Sequence, residues 1–203
     1  AFRARAPKIC VADWLRTVGV AWGSPPEQMF HVPPGLDHAT FRVPPGRDRP
    51  FDVAMLYSTH PTKGGAEGRE ALELLHARRP DLRVALFGMI RPDTEIPRWA
   101  TYLTAPDRPT LADEVYGRAR VFLQPSRVEG FGLTAVEAMA CGAALVTTDN
   151  GGSRDYAHPG TTAEVVPVDD PAAMAAAVEH LLDDTRHRRR LAEEGERIAR
   201  TFT

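Results

Sequence analysis

The stretch SRVEGFGLTAVEAMACG (126–142) places two glutamates eight positions apart, Glu129 before a Gly-Phe-Gly turn and Glu137 within a helical pattern. From Leu133 to Val146 every residue is apolar, Gly or Thr except Glu137. A carboxylate in so apolar a segment needs a partner. An ionised carboxylate only accepts hydrogen bonds, which suits a pair of adjacent hydroxyls such as those of a ribose or a sugar ring. The strand reading at Val121–Gln124, the glycine turn and the helix reading at Leu133–Cys141 form a strand–turn–helix unit. At such a unit the amides of the first helical turn lack partners, and the helix dipole adds positive potential there. Gly130 and Gly132 carry no Cβ, so a ligand can approach the backbone, and a nucleoside diphosphate is the natural guest. Glu129, in the loop one turn earlier, reaches toward the same cleft. The competing expectation is an arginine elsewhere that pairs with Glu137, with Glu129 exposed to solvent.

The elements that must position these residues alternate along the chain. Strands are expected at Lys8–Ala12, Met29–Val32, Asp52–Ser58, Arg83–Met89, Ala100–Thr104, Val121–Gln124, Ala144–Thr148 and Ala163–Val166. Most are near-continuous apolar runs of the kind found in strands covered on both faces. Helices are expected at Gly65–Arg78, ended by Pro80, and at Leu111–Ala119, Leu133–Cys141, Pro171–Leu182 and Arg186–Arg200, with a short turn at Ser153–Ala157. Asp170 precedes Pro171 as N-cap before a proline at the first helical position. This order predicts an α/β protein, a Rossmann-like parallel sheet with helices on both faces. The Pro- and Gly-dense stretch 31–52 reads as a linker between two domains.

Composition narrows the function classes. With 203 residues, 43% hydrophobic and 26% charged, the chain can bury a sizeable core. A net charge of -2 gives no electrostatic case for nucleic acid. The run TRHRRR (185–190) reads as a solvated helix face. Two cysteines are too few for a disulfide framework or a zinc site, and Cys141 reads as a small buried residue. The seven histidines are scattered without ligand spacing, and no Asp-x-Asp pair is present to hold a cation on a diphosphate. No metal is therefore expected. With no apolar run of membrane-spanning length and no visible signal peptide, a cytoplasmic location is expected. The start at Ala1 and the end at Arg-Thr-Phe-Thr suggest a piece of a longer protein.

The segment Glu129-Gly-Phe-Gly-Leu-x3-Glu137-Ala-Met-Ala-Cys-Gly resembles the Glu-x7-Glu signature of family 4 glycosyltransferases, retaining enzymes of the double-Rossmann GT-B fold. Pro125-Ser126 before it, Asn150-Gly151-Gly152 after the next strand, and Pro33-Pro34-Gly35-Leu36-Asp37-x3-Phe41 extend the resemblance from about Ile9 to the C-terminus. The resemblance implies that Glu137 accepts hydrogen bonds from the ribose of a nucleotide sugar and that Glu129 contacts hydroxyls of the transferred sugar. It implies that the backbone of Gly130, Phe131, Gly132, Leu133 and Thr134 holds sugar and diphosphate. Lys63, in His60-Pro-Thr-Lys63-Gly-Gly, matches a lysine that neutralises the leaving diphosphate; read without the resemblance, it is an ordinary surface lysine in a turn.

Two departures stand out. The family usually has an arginine where this chain has Ser58, so Arg127 or His60 is expected to supply the missing charge, Arg127 first because it abuts Glu129. The glutamate usual after Gly-Gly is here Asp155. The Tyr-Ser-x-His-Pro-x-Lys-Gly-Gly variant resembles a rhamnosyltransferase-like branch. On this resemblance residues 1–36 are the tail of an acceptor-side N-terminal domain plus linker, and residues 37–203 are the nucleotide-sugar donor domain. The implied partners are a nucleotide-sugar donor and, through the absent N-terminal domain, a saccharide or lipid acceptor. Peripheral membrane association of the full-length protein is compatible with such an acceptor. The fragment alone is expected to transfer nothing. A nucleotide-sugar epimerase and a non-catalytic nucleotide-sugar binding module are the alternatives.

Overall fold

The computed structural model describes residues 6–46, 48–92 and 95–203. Residues 1–5 of the expected leading segment and Arg47 of the expected linker lie outside the described residues. The chain opens with strand β1 (Lys8–Cys10), helix α1 (Asp13–Ala21) and strand β2 (Met29–His31), and the two strands pair in parallel as a separate sheet. The remainder is built on β3 (Phe51–Leu56), α2 (Gly65–Arg78), β4 (Val84–Gly88), β5 (Ala100–Thr104) and the short helical turn α3 (Arg108–Thr110). It continues through β6 (Ala119–Gln124), α4 (Leu133–Ala140), β7 (Ala144–Thr148), β8 (Ala163–Val166), α5 (Pro171–Asp183) and α6 (Thr185–Ala199).

Strands β3 to β8 form one six-stranded parallel sheet in the order β5-β4-β3-β6-β7-β8. The chain thus winds outward from β3 to β5, returns to β6 at the side of β3, and winds out again to β8. The order reverses between β3 and β6. The loops leaving these two strands meet beyond their carboxyl ends, the Arg127 amide donating to Thr62 O at 2.8 Å, at the place where ligands of open parallel sheets bind in a crevice.

Alternate residues of each strand enter opposite cores, which is why the strands read as unbroken apolar runs. Val53, Met55, Val84, Leu86, Val121, Leu123 and Val146 pack under Leu72 and Leu75 of α2 and Met174, Val178 and Leu181 of α5. Ala54, Ala85, Phe87, Phe122 and Leu145 pack on the other face under Val136 and Met139 of α4, with Tyr116, Phe41 and Phe202. Asp170 caps α5 by accepting from the Ala173 amide at 2.9 Å, as expected from the sequence.

The expected helix at Leu111–Ala119 takes a different form. Asp107 caps α3 at the Thr110 amide (2.9 Å), a π-helical turn follows at Leu111–Val115, and a 3₁₀ turn at Tyr116–Arg118 leads into β6. Ala112, Val115 and Tyr116, spaced i, i+3 and i+4, all reach the core from these two turns. The expected short turn at Ser153–Ala157 is a 3₁₀ turn at Gly152–Asp155. The Arg-rich run is only partly solvated. His187 and Arg188 fold inward, His187 onto Glu164 (2.6 Å) and Arg188 onto the carbonyls of Leu181 (2.7 Å) and Leu182 (3.2 Å). No helix among the described residues is long and apolar enough to cross a membrane.

Candidate functional site

Lys63 and Glu129 face each other across the reversal in strand order. Lys63 ends the 3₁₀ turn Pro61–Lys63 in the loop after β3, and Glu129 lies in the loop after β6. Lys63 Nζ stands 2.8 and 3.0 Å from the two carboxylate oxygens of Glu129. Ser126 Oγ donates to Glu129 Oε1 at 2.8 Å and Gln124 Nε2 approaches it at 3.5 Å. Glu129 is therefore buried (8% exposed) and partnered, not the solvent-facing group of the competing expectation. Its loop is fixed from below. The Glu129 amide donates to Asn150 O (3.0 Å), the Arg127 amide to Thr62 O (2.8 Å), and the Thr148 hydroxyl to Ser126 O. Asn150 is held in turn by the Ser153 amide at 2.9 Å.

Glu137 sits in the second turn of α4, 7% exposed. Tyr116 donates its hydroxyl to Oε2 at 3.2 Å, and Arg108 Nη1 stands 4.0 Å from Oε1. The Arg108 guanidinium lies over the Phe41 ring (4.8 Å to the centroid), and its side chain is 57% exposed at the rim. An arginine is present, then, but it is a rim group at the limit of ion-pair distance rather than an internal clamp. Burial pushes the Glu137 carboxyl above its ordinary range, while the Tyr116 hydrogen bond and Arg108 pull it back. Burial and the neighbouring Glu137 charge push the Tyr116 hydroxyl well up, so it remains a donor.

The two glycines of the turn differ in what requires them. Gly132 has φ 103°, and a Cβ there would stand 2.3 Å from Tyr156 Oη; Tyr156 donates to Gly132 O (3.3 Å) and shares a 3.3 Å hydrogen bond with Gln124 Oε1. Gly130 is open: the nearest atom to an added Cβ is Val11 Cγ2 at 3.8 Å. No side chain caps the first turn of α4. Leu133 is half-exposed at that turn with Thr134 beside it. The Phe131 side chain is core, edge-on to Tyr156 (5.5 Å) and Phe202 (5.1 Å), so only its backbone can face the cleft.

The remaining expected residues are distributed around the loop after β3. Ser58 accepts from the His60 amide at 3.2 Å and lines a cavity of about 400 Å³ together with Lys63 and Arg91. His60 caps the Pro61–Lys63 turn, its Nδ1 accepting from the Thr62 amide at 3.3 Å. Arg127 is committed on the outer side, to Glu67 (2.6 Å), Asp169 (2.5 Å) and Pro61 O (2.9 Å). These contacts make Arg127 a brace between loops and leave it no donor turned to Glu129. Asp155 accepts from the Asp13 amide (3.3 and 3.2 Å) and from His31 Nε2 (2.9 Å), tying α1 and β2 to the main sheet. Trp14 joins this contact by donating from Nε1 to Gly130 O at 3.1 Å.

Tyr116, Arg108, Gln124 and Tyr156 were not singled out from the sequence, and Ser126 was quoted only within the resemblance, without a role. Only Ser126, three residues before Glu129, carried a local signal, since a hydroxyl at that spacing can reach the carboxylate.

Residues 41–198 match the model of the family described as glycosyl transferases group 1. The chain is 32% identical over 183 residues to the MMP alpha-(1->4)-mannosyltransferase of Mycolicibacterium hassiacum, a match covering 86% of this chain and 44% of that protein. It is 31% identical over 225 residues to the D-inositol 3-phosphate glycosyltransferase of Thermomonospora curvata, covering 94% and 52%. The chain thus spans about half the length of the curated relatives it matches. Anabaena HepE, solved with UDP and glucose, superposes with a TM-score of 0.83 at 18% identity, over 100% of this chain and 60% of that one. With most of its length matched by that model, the chain belongs to the glycosyl transferases group 1 family.

Proposed function

We propose that this chain is the donor-binding part of a retaining, family 4, GT-B glycosyltransferase that moves a sugar from a nucleotide diphosphate-sugar to a saccharide or lipid acceptor. Residues 1–36 are the tail of the acceptor-side domain and the linker, and residues 37–203 are the donor domain. Glu137 receives the ribose hydroxyls, Glu129 hydroxyls of the transferred sugar, and the first turn of α4 the phosphates. Lys63 neutralises the leaving diphosphate, which in a same-face reaction helps to deprotonate the incoming hydroxyl. Asp-x-Asp is absent from the sequence, and the α4 amino end with Lys63 supplies positive potential without a metal. The complex of HepE with UDP supports a nucleotide diphosphate as guest of this fold.

The observation that carries the reading is Glu137. Its carboxylate is nearly buried, yet it has one hydroxyl donor and one distant cation, less than a buried charge ordinarily requires. An incoming diol supplies the missing donors. The test is a thermal-shift panel of UDP, GDP, ADP and dTDP on the wild type and on Glu137→Gln. A nucleotide at 100 times its Kd stabilises by about 2.7 kcal/mol, which for a chain of this size is about 5–10 °C. The expected result is one responding base in the wild type and no response in Glu137→Gln. The sign of the pKa shift gives a second readout. A carboxyl raised in the folded state destabilises at pH values above its folded pKa and ceases to do so as pH falls below its unfolded pKa. Glu137→Gln should therefore keep or raise the melting temperature at pH 7. A variant that keeps the nucleotide response, or a wild type that responds to no base, removes the assignment.

A further inference from the structure

The edge strand β8, the last turn of α5 and the first turn of α6 meet at Glu164, His180 and His187. One ring nitrogen from each histidine and one carboxylate oxygen all lie within 4.8 Å of one another. His187 Nε2 stands 2.6 Å from Glu164 Oε1, and the two imidazoles lie 5.3 Å apart between centroids. None of the three belongs to the loops that form the crevice. We propose that Glu164, His180 and His187 form a binding site for a divalent transition metal of the zinc class, with water in the remaining position.

The donor set selects this class. Two imidazoles and one carboxylate suit borderline cations, whereas calcium and magnesium take oxygen ligands. Bonds of about 2.0–2.2 Å in a tetrahedron put ligand atoms about 3.3–3.5 Å apart, so the His187–Glu164 contact opens by less than about 1 Å as the metal enters. The local field also favours a cation. His180 lies in the last turn of α5, where the helix carbonyls are negative, and Asp184 is close, its carboxylate capping the His187 amide at 2.9 Å. Two arginines oppose it. Arg188 is already committed to the carbonyls of Leu181 and Leu182. Arg190 Nη2, on an exposed side chain, donates to His187 Nδ1 at 2.7 Å, which leaves the ring proton on Nε2 toward Glu164. When the metal takes Nε2 that proton resides on Nδ1 and Arg190 turns to solvent, with no net proton release.

Such a site staples an edge strand to the corner between two helices. It also fixes α6, whose end carries Phe202 O as acceptor for the Leu36 amide (3.0 Å) and for His38 Nε2 (3.0 Å). The role is structural, and its detection does not depend on donor binding. The test uses tag-free protein, stripped with a chelator, dialysed and titrated with zinc chloride by calorimetry, with Co²⁺ as a visible-absorption probe of tetrahedral coordination. The expected result is one Zn²⁺ per chain. Loss of an outer-shell partner alone weakens metal sites about 10- to 100-fold, so His180→Ala should weaken binding at least about tenfold. His180 is an exposed helical position that accepts Ala without loss of fold, and Glu164→Ala provides a second variant. His158→Ala, which removes an imidazole elsewhere, should leave the isotherm unchanged. Absence of stoichiometric binding in the wild type, or equal affinity in His180→Ala, overturns the proposal.

Discussion

Gly130 and Gly132 read alike in the sequence, as backbone cleared for a ligand, but the structure predicts opposite responses to a methyl group. Gly132 is the residue preceding α4 and has φ 103°, where an L side chain costs about 1–2 kcal/mol. Its Cβ would also enter the space of Tyr156 Oη, 2.3 Å away, and displace a hydroxyl that bonds Gly132 O and Gln124. Unsatisfying that buried hydroxyl adds about 1–2 kcal/mol, for a total of about 2–4 kcal/mol. Gly130→Ala meets nothing closer than 3.8 Å at a backbone conformation open to alanine, and should lie within about 0.5 kcal/mol of wild type. Urea unfolding of the two variants measures both values. Tyr156→Phe in the Gly132→Ala background separates the terms. Removing the hydroxyl leaves Tyr156 Cζ at 3.4 Å and Gln124 Nε2, the end of a flexible side chain, at 3.1 Å, so the double variant should recover about 1 kcal/mol while the backbone strain stays. If the two alanine variants are equally destabilised, or Gly132→Ala shows no coupling to Tyr156→Phe, the reasoning about this turn is wrong. Because Gly130→Ala keeps the fold, its effect on nucleotide affinity reports ligand approach alone.

Three further outcomes are expected. A double-mutant cycle with Lys63→Met and Glu129→Gln should give a coupling of about 1–2 kcal/mol in urea unfolding, below the range of a fully buried pair because Lys63 is a third exposed; a coupling near zero would mean that Ser126 and Gln124 hold Glu129 unaided. Asp155→Asn removes the anionic cap of α1 and the partner of His31, so amide exchange in residues 13–16 should speed several-fold while β6 and β7 stay protected. Burial pushes the Cys141 thiol up to about 12, so iodoacetamide at pH 8 should label Cys141 only at the rate of unfolding, and rapid labelling of the native protein would contradict its placement.

What the sequence revealed follows from range. Strands covered on both faces need unbroken apolar runs, and β5, β7 and β8 lie at the expected residues. Helix α2 begins at Gly65 and ends two residues before Pro80, both local signals. Glu137 was conspicuous because an isolated charge in an apolar helix is a one-dimensional anomaly. Its partners were not visible. Tyr116 and Arg108 lie 21 and 29 residues earlier, and only the folded chain brings the Tyr116 ring and the rim arginine to the same carboxylate. Arg127 illustrates the converse failure. Closeness in sequence to Glu129 suggested a shared site, but Glu67 and Asp169, both remote in sequence, draw the guanidinium away from it. His180 and His187 are seven apart across a helix–helix corner, a spacing with meaning only once the corner is formed.

The two glutamates reach burial by different routes, and this separates what each contributes to affinity. Glu129 is neutralised: a lysine, a hydroxyl and an amide surround its oxygens. A ligand that takes its oxygens must return as much as it displaces, so hydroxyls meeting Glu129 alone gain little. A nucleotide sugar brings sugar hydroxyls for the carboxylate and, on the same molecule, phosphate for the ammonium of Lys63. Both halves of the pair are exchanged together, and the charge of the crevice remains balanced. A free sugar or a free phosphate offers only one of those exchanges. Glu137 needs no such exchange, because its burial is already under-compensated. Under the proposed function, binding strength would therefore rest mainly on the ribose contact. On the same reading the Lys63–Glu129 pair would act as a selector for ligands that carry a sugar and a diphosphate on one frame.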